Sequence, residues 1–541
     1  GGQALAPTPA AYAVSGDVTM AGIGSRVVPP GSHGDTWDST WLANDRLLAQ
    51  QNDGQGFGGA YVNDRITEIT GTPETPSTIV GANLNPGALG STLGNTYSTS
   101  VYEVDGALYH IVCYSDQTPG AFSFRNASLL KSTDGGATWL NTAGTSAIPA
   151  DSSAASTFPA SVWGEVNFVK YGRGGVAPNI DNAQTYAYLT NPNGVNNSDY
   201  YLARVKRSDL TNWVSTFDRT KIQYFSGGDG MLDSSWSSNI SNATSIYNRP
   251  GRASATAVVY NAGLGRYIAT PFSSDSFASP QIESSVRVLQ SPHPWGPWTD
   301  VLDENVNTKQ SDNLAWSYLT QKFTTADGKK MWMTASGRAP YGLQFLPVYL
   351  TTSPVQTLQG ESGMQTGTNS STSVLGYEGS GYVTGLDAIG DSLTLSPSVS
   401  ETGAYIVKFR YHTTSSTSLS WSVNGARQAS LPIGRSVQTY TTWTEMSIFA
   451  WLTAGSNAIT FSVDPGDPGN VDIDSMSLAF YSAVPDSLPG ARPGSGLSGG
   501  GPSVDDTSSA VTYSGAWSSN GNPNVGYYND CLLYTSPSPR D

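Results

Sequence analysis

The sequence predicts an all-β chain, a five-bladed β-propeller followed by a β-sandwich, and three observations carry that expectation. Short β-type runs punctuated by Gly, Asn, Asp and Pro dominate, while long helical periodicity is hard to find. Between about residues 30 and 355 one strand–turn–strand unit recurs five times, at a spacing of about 65 residues that suits propeller blades with long connections. From about Leu358 the pattern changes to alternating strands over about 120 residues, as a sandwich requires.

Composition is consistent with this and removes several function classes. Of 541 residues, 27 are Lys or Arg and 42 are Asp or Glu, so the net charge is −15. Nucleic-acid and anionic-membrane binding both need a basic footprint, which this balance argues against. Charged residues are only 13% and aromatics reach 11%, apolar material enough to argue against disorder over most of the chain. No apolar run approaches the roughly 20 residues of a membrane span.

The repeat can be followed strand by strand. Second strands are expected at RLLAQ (46–50), ALYHIV (107–112), QTYAYLT (184–190), GRYIAT (265–270) and KKMWMTA (329–335). Tight turns such as Asp105-Gly106, Asn261-Ala-Gly263 and Asp327-Gly328 precede several of them. In the second unit, Ser132-x-Asp134-x-Gly136-x-Thr138-Trp139 matches the Asp-box pattern, in which Asp and Ser/Thr side chains lock a hairpin corner and Trp covers the blade. That box speaks for a blade and says almost nothing of a reaction.

The five repeats, the GDTWDSTW opening, the GPWT corner (Gly296 to Thr299) and SYLTQKFTTADGKKMWMTASG together resemble the five-bladed glycosidase propellers of the microbial endo-D-arabinanase type (DUF4185-like). Arabinan-degrading furanosidase propellers are more distant. The resemblance covers about residues 15–355 and implies polysaccharide hydrolysis at one mouth of the ring, a reaction needing no redox cofactor or nucleotide. Glycoside hydrolysis uses one protonated and one ionised carboxyl group across the scissile bond.

Candidates therefore come from the first strand of each repeat. Asp35 is the best carboxylate: it precedes a Trp-rich strand, and period two puts Asp35, Trp37 and Trp41 on one side with Asp38 on the other. Glu165 is an acid inside an otherwise apolar strand, where burial would raise its pKa towards that of a general acid. Asp35 is expected as base or nucleophile and Glu165 as acid, with Asp38 and Asp312 as further candidates. Trp37 and Trp316 are candidate stacking platforms, Arg249 and Arg252 candidate clamps, and Asp229 and Asp233 lie on the GGDGMLD stretch expected over the mouth. A non-catalytic glycan-binding adhesion protein is the rival expectation. A lyase, with His33 beside Arg249 or Arg252, is the third.

The second module, from Leu358 to residue 484, contains G-Y-x-G-x-G-Y-V, a V-N-G turn, an L-x-x-G-x-N-x-I string and a closing D-I-D. It resembles family 35 and family 6 carbohydrate-binding modules. By that resemblance Tyr377 and Trp443 would stack on sugar faces, Asn470 would bond hydroxyls, and Glu361 with Asp474 would hold a structural calcium.

Residues 485–503 read as a Pro/Gly/Ser linker and 504–530 as the opening of a further β-module. The last eleven residues, 531–541, resemble a translated sequencing-library adapter. With Cys531 set aside, Cys113 is expected to be a buried small hydrophobe. Sequons at Asn126, Asn196, Asn239, Asn242 and Asn369 are consistent with secretion. The expected partner is a polysaccharide or cell-wall glycan, and the expected form is an extracellular monomer.

Overall fold

The structure, a computed structural model, describes residues 16–494 except 85–95, 119–120, 147, 159–162, 193–197, 252–253, 255, 275–283, 307–314, 339 and 438–440. Asp312, Arg252, Asn196, residues 495–503 of the linker, the third module and the C-terminal tail therefore lie outside the described residues.

The chain is all-β. Up to about residue 351 it forms five successive sheets, each an antiparallel meander. The expected second strands appear at Leu47–Gly56, Ala107–Thr118, Tyr186–Pro192, Arg266–Ala269 and Lys330–Arg338. The fifth sheet is completed by the N-terminal strand Met20–Ile23, which pairs with Tyr341–Thr351 and so joins the two ends of the region.

The first strands of neighbouring sheets are hydrogen-bonded in circular succession. Sheet one meets sheet two where Ser100 Oγ donates to Asp38 Oδ2 at 3.1 Å. Sheet two meets sheet three where Phe168 N donates to Ser100 Oγ, and sheet three meets sheet four where Lys170 N donates to Val258 O. Thr256 Oγ1 donates to Ser317 O, and Ser39 Oγ donates to Thr320 Oγ1, returning to sheet one. The core fills the spaces between sheets with Tyr109, Phe168, Trp163, Ile268 and Tyr318 among many others.

The Ser132–Trp139 corner shows why its pattern matters locally. Asp134 accepts from Thr138 N and Thr138 Oγ1 at 2.9 and 2.6 Å, while Ser132 Oγ accepts from Gly136 N. These bonds favour the carboxylate and lower the Asp134 pKa to about 2. Trp139 is buried against His110. Cys113 is fully buried in the core, and burial pushes its thiol well up.

The sandwich has two facing sheets. One runs through Thr444–Leu452, Gly403–His412, Val471–Ser482 and Tyr382–Leu386; the other runs through Ser392–Leu395, Ile459–Ser462 and Thr417–Val423. Val407, Phe409, Leu419, Phe461 and Ile473 fill the space between them. The expected boundary at 357/358 falls inside the strand Val355–Gln359, which pairs with residues 475–479 of the sandwich. Sandwich and sheets are continuous: Thr299–Asn305 pairs in parallel with Thr444–Leu452, and Ile23 N donates to Ser447 Oγ. Met20, Tyr349, Ile406 and Tyr481 pack across the junction.

Candidate active site

The strand carrying Asp35 does not run straight. It breaks into His33–Asp35 and Ser39–Trp41 because Thr36 takes a left-handed φ of 55°. The expected alternation is lost there, and three assignments change with it. Trp37 turns into the core: it is fully buried, donates Nε1–H to Gly34 O and packs edge-on against Phe57, so it offers no stacking face. Asp38 is also fully buried, and Lys170 Nζ lies 2.5 Å from its Oδ1 while Ser100 Oγ and Val101 N donate to its Oδ2. It is the electrostatic joint of three sheets rather than a free acid. Trp41 Nε1 donates to Asp45 at the surface.

Asp35 sits apart from that joint. Tyr341 OH donates to its Oδ2 at 2.9 Å, and Thr36 and Trp316 side chains also bond it. Burial, and then the charge of Asp53, raise its pKa to about 8; the three hydrogen bonds pull the other way and do not prevail. Asp53 itself is raised to about 6 by burial, against a hydrogen bond from Tyr61. Two carboxyl groups therefore share one site with unequal proton affinity.

Asp53 was not expected from sequence. It follows Asn52, which pairs with Asp35 in the register between His33–Asp35 and Leu47–Gly56. Two glycines allow these strands to close so tightly: a Cβ on Gly54 would lie 2.2 Å from His33 O, and one on Gly34 (φ 127°) would lie 1.9 Å from Gln51 Oε1. Thr36, Asp53 and Trp316 all have φ near +50°, and such backbone strain, about 1 kcal/mol or more each, concentrates at functional sites. His33 completes the cluster, its ring 5.1 Å from Tyr341 and 6.3 Å from Tyr61.

Trp316 is nearly buried, wedged between Phe124 and Phe272 from two other sheets. It serves as a donor to Asp35, not as an open platform. Glu165 is buried, with its N–H donating to Asn191 Oδ1 at 3.1 Å. Its charge, with those of Asp38 and Asp35, raises the buried Tyr318 hydroxyl beyond the effect of burial alone, so acids from sheets one and three surround one interior. The charge acting most on Asp35, however, is that of Asp53.

The remaining candidates lie elsewhere. Arg249 pairs with Asp300 and, at 3.6 Å, with Asp303 on an outer strand of sheet four. Asp233 is bonded by the buried Arg204 at 2.6 Å, and Asp229 caps its own loop by accepting from Met231 N. Both belong to the outer part of sheet three.

In the sandwich, Trp443 is buried, donating Nε1–H to Leu375 O and contacting Tyr382, His412 and Arg410. It supports the 372–380 loop instead of presenting a face. Tyr377 is half-buried beside Tyr382. Asn470 is exposed on a turn with φ 63°. Asp474 is fully buried and engaged by Arg410 and Glu378 N. Glu361 Oε1 accepts from Ser380, but its Oε2 and Gln359 Oε1 are buried without partners. Among the described residues no group of three or more His, Cys, Asp or Glu gathers as a metal site. No described helix is long and apolar enough to cross a membrane.

An all-β region with a strained, partly buried carboxyl pair, carrying a sandwich beside it, defines the class. Residues 67–341 match the family described as Domain of unknown function (DUF4185), and the chain belongs to that family. Residues 356–480 match Carbohydrate binding module (family 35). The chain is similar to a 1,6-alpha-glucosyltransferase of Sporosarcina globispora, 38% identical over 113 residues, 20% of this chain and 9% of that protein. It is also similar to an isomaltosyltransferase of the same organism, 27% identical over 121 residues, 22% of this chain and 11% of that protein. The chain thus spans about a tenth of the length of these curated relatives. Among solved structures, a family 35 carbohydrate binding module from Clostridium thermocellum is 26% identical, covering 23% of this chain and 98% of that one at a TM-score of 0.22. An exo-beta-1,3-galactanase from Phanerochaete chrysosporium is 12% identical, covering 86% of this chain and all of that one at a TM-score of 0.36.

Proposed function

We propose that the protein is a polysaccharide-cleaving glycoside hydrolase in which Asp35 is the general acid and Asp53 the base or nucleophile. The observation that carries this is the unequal pair: Asp35, raised to about 8, holds a proton at neutral pH, while Asp53, raised to about 6, is largely ionised. Asp35 would protonate the glycosidic oxygen, and Asp53 would activate water or attack the anomeric carbon. Asp35, expected from sequence as base or nucleophile, thereby takes the acid role expected of Glu165, because a carboxyl group with a pKa near 8 is a poor base at pH 7.

The five sheets, with their circular hydrogen bonding and shared terminal sheet, support a five-bladed propeller of the endo-D-arabinanase type as the scaffold. The match to a carbohydrate-binding module supports a sandwich that keeps the polymer near the site and raises its local concentration. Secretion belongs to the same proposal, supported by a composition poor in charge and rich in turns. So does a structural calcium, held by Glu361 Oε2 and Gln359 Oε1, two of the buried oxygens that lack partners. Asp474 is not part of that set, since Arg410 already neutralises it.

Incubation with arabinans, arabinogalactans, xylans and fungal-wall glycans tests the activity through release of reducing ends. Wild type should cleave at least one polymer, while Asp35→Asn and Asp53→Asn lose it. Full turnover in either variant rejects the assignment.

A further inference from the structure

Tyr61 has no part in the proton transfers above, yet it stands at their edge. Its ring is 56% exposed, and it is the one exposed Phe, Tyr or Trp ring among the described residues. Its hydroxyl is bonded to Asp53, and its edge meets His33. An open aromatic face beside two carboxyl groups is what the C–H face of a sugar ring would pack on, with the polar tip left to orient the pair.

The loop that carries this ring is held firmly. Phe57 tucks against Trp37, and Phe57 N donates to Asn83 Oδ1 at 3.1 Å. Asn83 Nδ2 donates to Gln55 O at 3.0 Å, and Arg65 Nη2 donates to Ala60 O at 2.8 Å. A face fixed before the ligand arrives costs less ordering on binding than a mobile one.

Charge narrows the ligand. The groups acting on Asp53 and Tyr61 are carboxylates and phenols, and among the described residues no Lys or Arg charge acts on either. Arg65, the nearest guanidinium along the chain, is turned to the carbonyls of Gln55, Gly58 and Ala60. Among the described residues nothing would offset the repulsion between a uronate placed here and Asp53.

Building on the hydrolase reading, we propose that the Tyr61 ring is the platform of a sugar-binding subsite beside Asp35 and Asp53 that accepts uncharged saccharide units and rejects uronates. The test uses the full chain, with hydrogen–deuterium exchange of the 54–66 segment followed while arabinan, galactan, dextran or polygalacturonate is added. At least one neutral polymer should protect the segment in wild type and in Tyr61→Phe, but not in Tyr61→Ala, and polygalacturonate should not protect it. On a cleaved polymer, Tyr61→Ala should raise KM about five- to tenfold, and Tyr61→Phe, which keeps the ring, should restore KM. Protection without cleavage of any polymer leaves the subsite standing and removes the hydrolase. Cleavage with protection and KM unmoved in Tyr61→Ala removes the subsite and leaves the hydrolase. Absence of protection by every neutral polymer, or protection by polygalacturonate, also overturns the subsite.

Discussion

Tyr341 donates its hydroxyl proton to Asp35 Oδ2 across 2.9 Å, and with that bond the last hairpin of sheet five reaches the first strand of sheet one. The bond favours the charged carboxylate, yet burial and Asp53 outweigh it. The acid is thus stabilised in position by a partner that works against its protonation.

That balance predicts the pH dependence of turnover. Asp35 must be protonated and Asp53 ionised, so kcat/KM should be bell-shaped, with limbs near the values of about 6 and about 8. Tyr341→Phe removes a bond that lowers the Asp35 pKa, so its basic limb should move to higher pH. A pH–rate profile of both proteins checks the direction, and a downward shift would contradict it.

Stability should follow the opposite sense. Asp35 binds its proton more tightly folded than unfolded, so its contribution is fully present below the ordinary carboxylate pKa and is lost as pH rises towards about 8. Asp35→Asn should therefore stabilise the protein increasingly between pH 4 and pH 8, on the order of 3 kcal/mol at the upper end. Thermal melts across that range measure it.

The Lys170–Asp38 pair should behave as structure. Both side chains are buried, and removing one partner leaves the other charge unpaired. Lys170→Met should cost about 3–5 kcal/mol in urea unfolding. Trp443→Ala should likewise lower stability by about 3–5 kcal/mol, because the ring is buried.

How far the sequence speaks for itself depends on which force sets each residue. Second strands such as Ala107–Thr118 and Lys330–Arg338 are plain in the sequence, because period two and the Asp-Gly turns before them are local signals. Trp37 and Asp38 defeat the same rule, since the alternation fails at Thr36, whose left-handed φ depends on a bond from its N–H to Ser336 Oγ three hundred residues away. Asp35 stands out as an acid ahead of tryptophans. Asp53 does not, because QQNDGQG looks like a polar turn, and only the register placing Asn52 opposite Asp35 brings it to the site. Arg249 and Asp300 find each other across two repeats, which no spacing reveals.

The calcium proposed at Glu361 has its own test. A ligand bound only by the folded state adds about 3 kcal/mol at a hundredfold excess over Kd, so a chelator should lower the Tm of the full chain, and Glu361→Gln should abolish that response. A Tm indifferent to chelator rejects the ion.

The unequal carboxyl pair is tested most directly by titrating carboxyl carbons in protein labelled with 13C-aspartate, with Asp35→Asn and Asp53→Asn used to assign the two signals. The structure predicts midpoints of about 8 for Asp35 and about 6 for Asp53. Two midpoints near 4, the ordinary aspartate value, would contradict it.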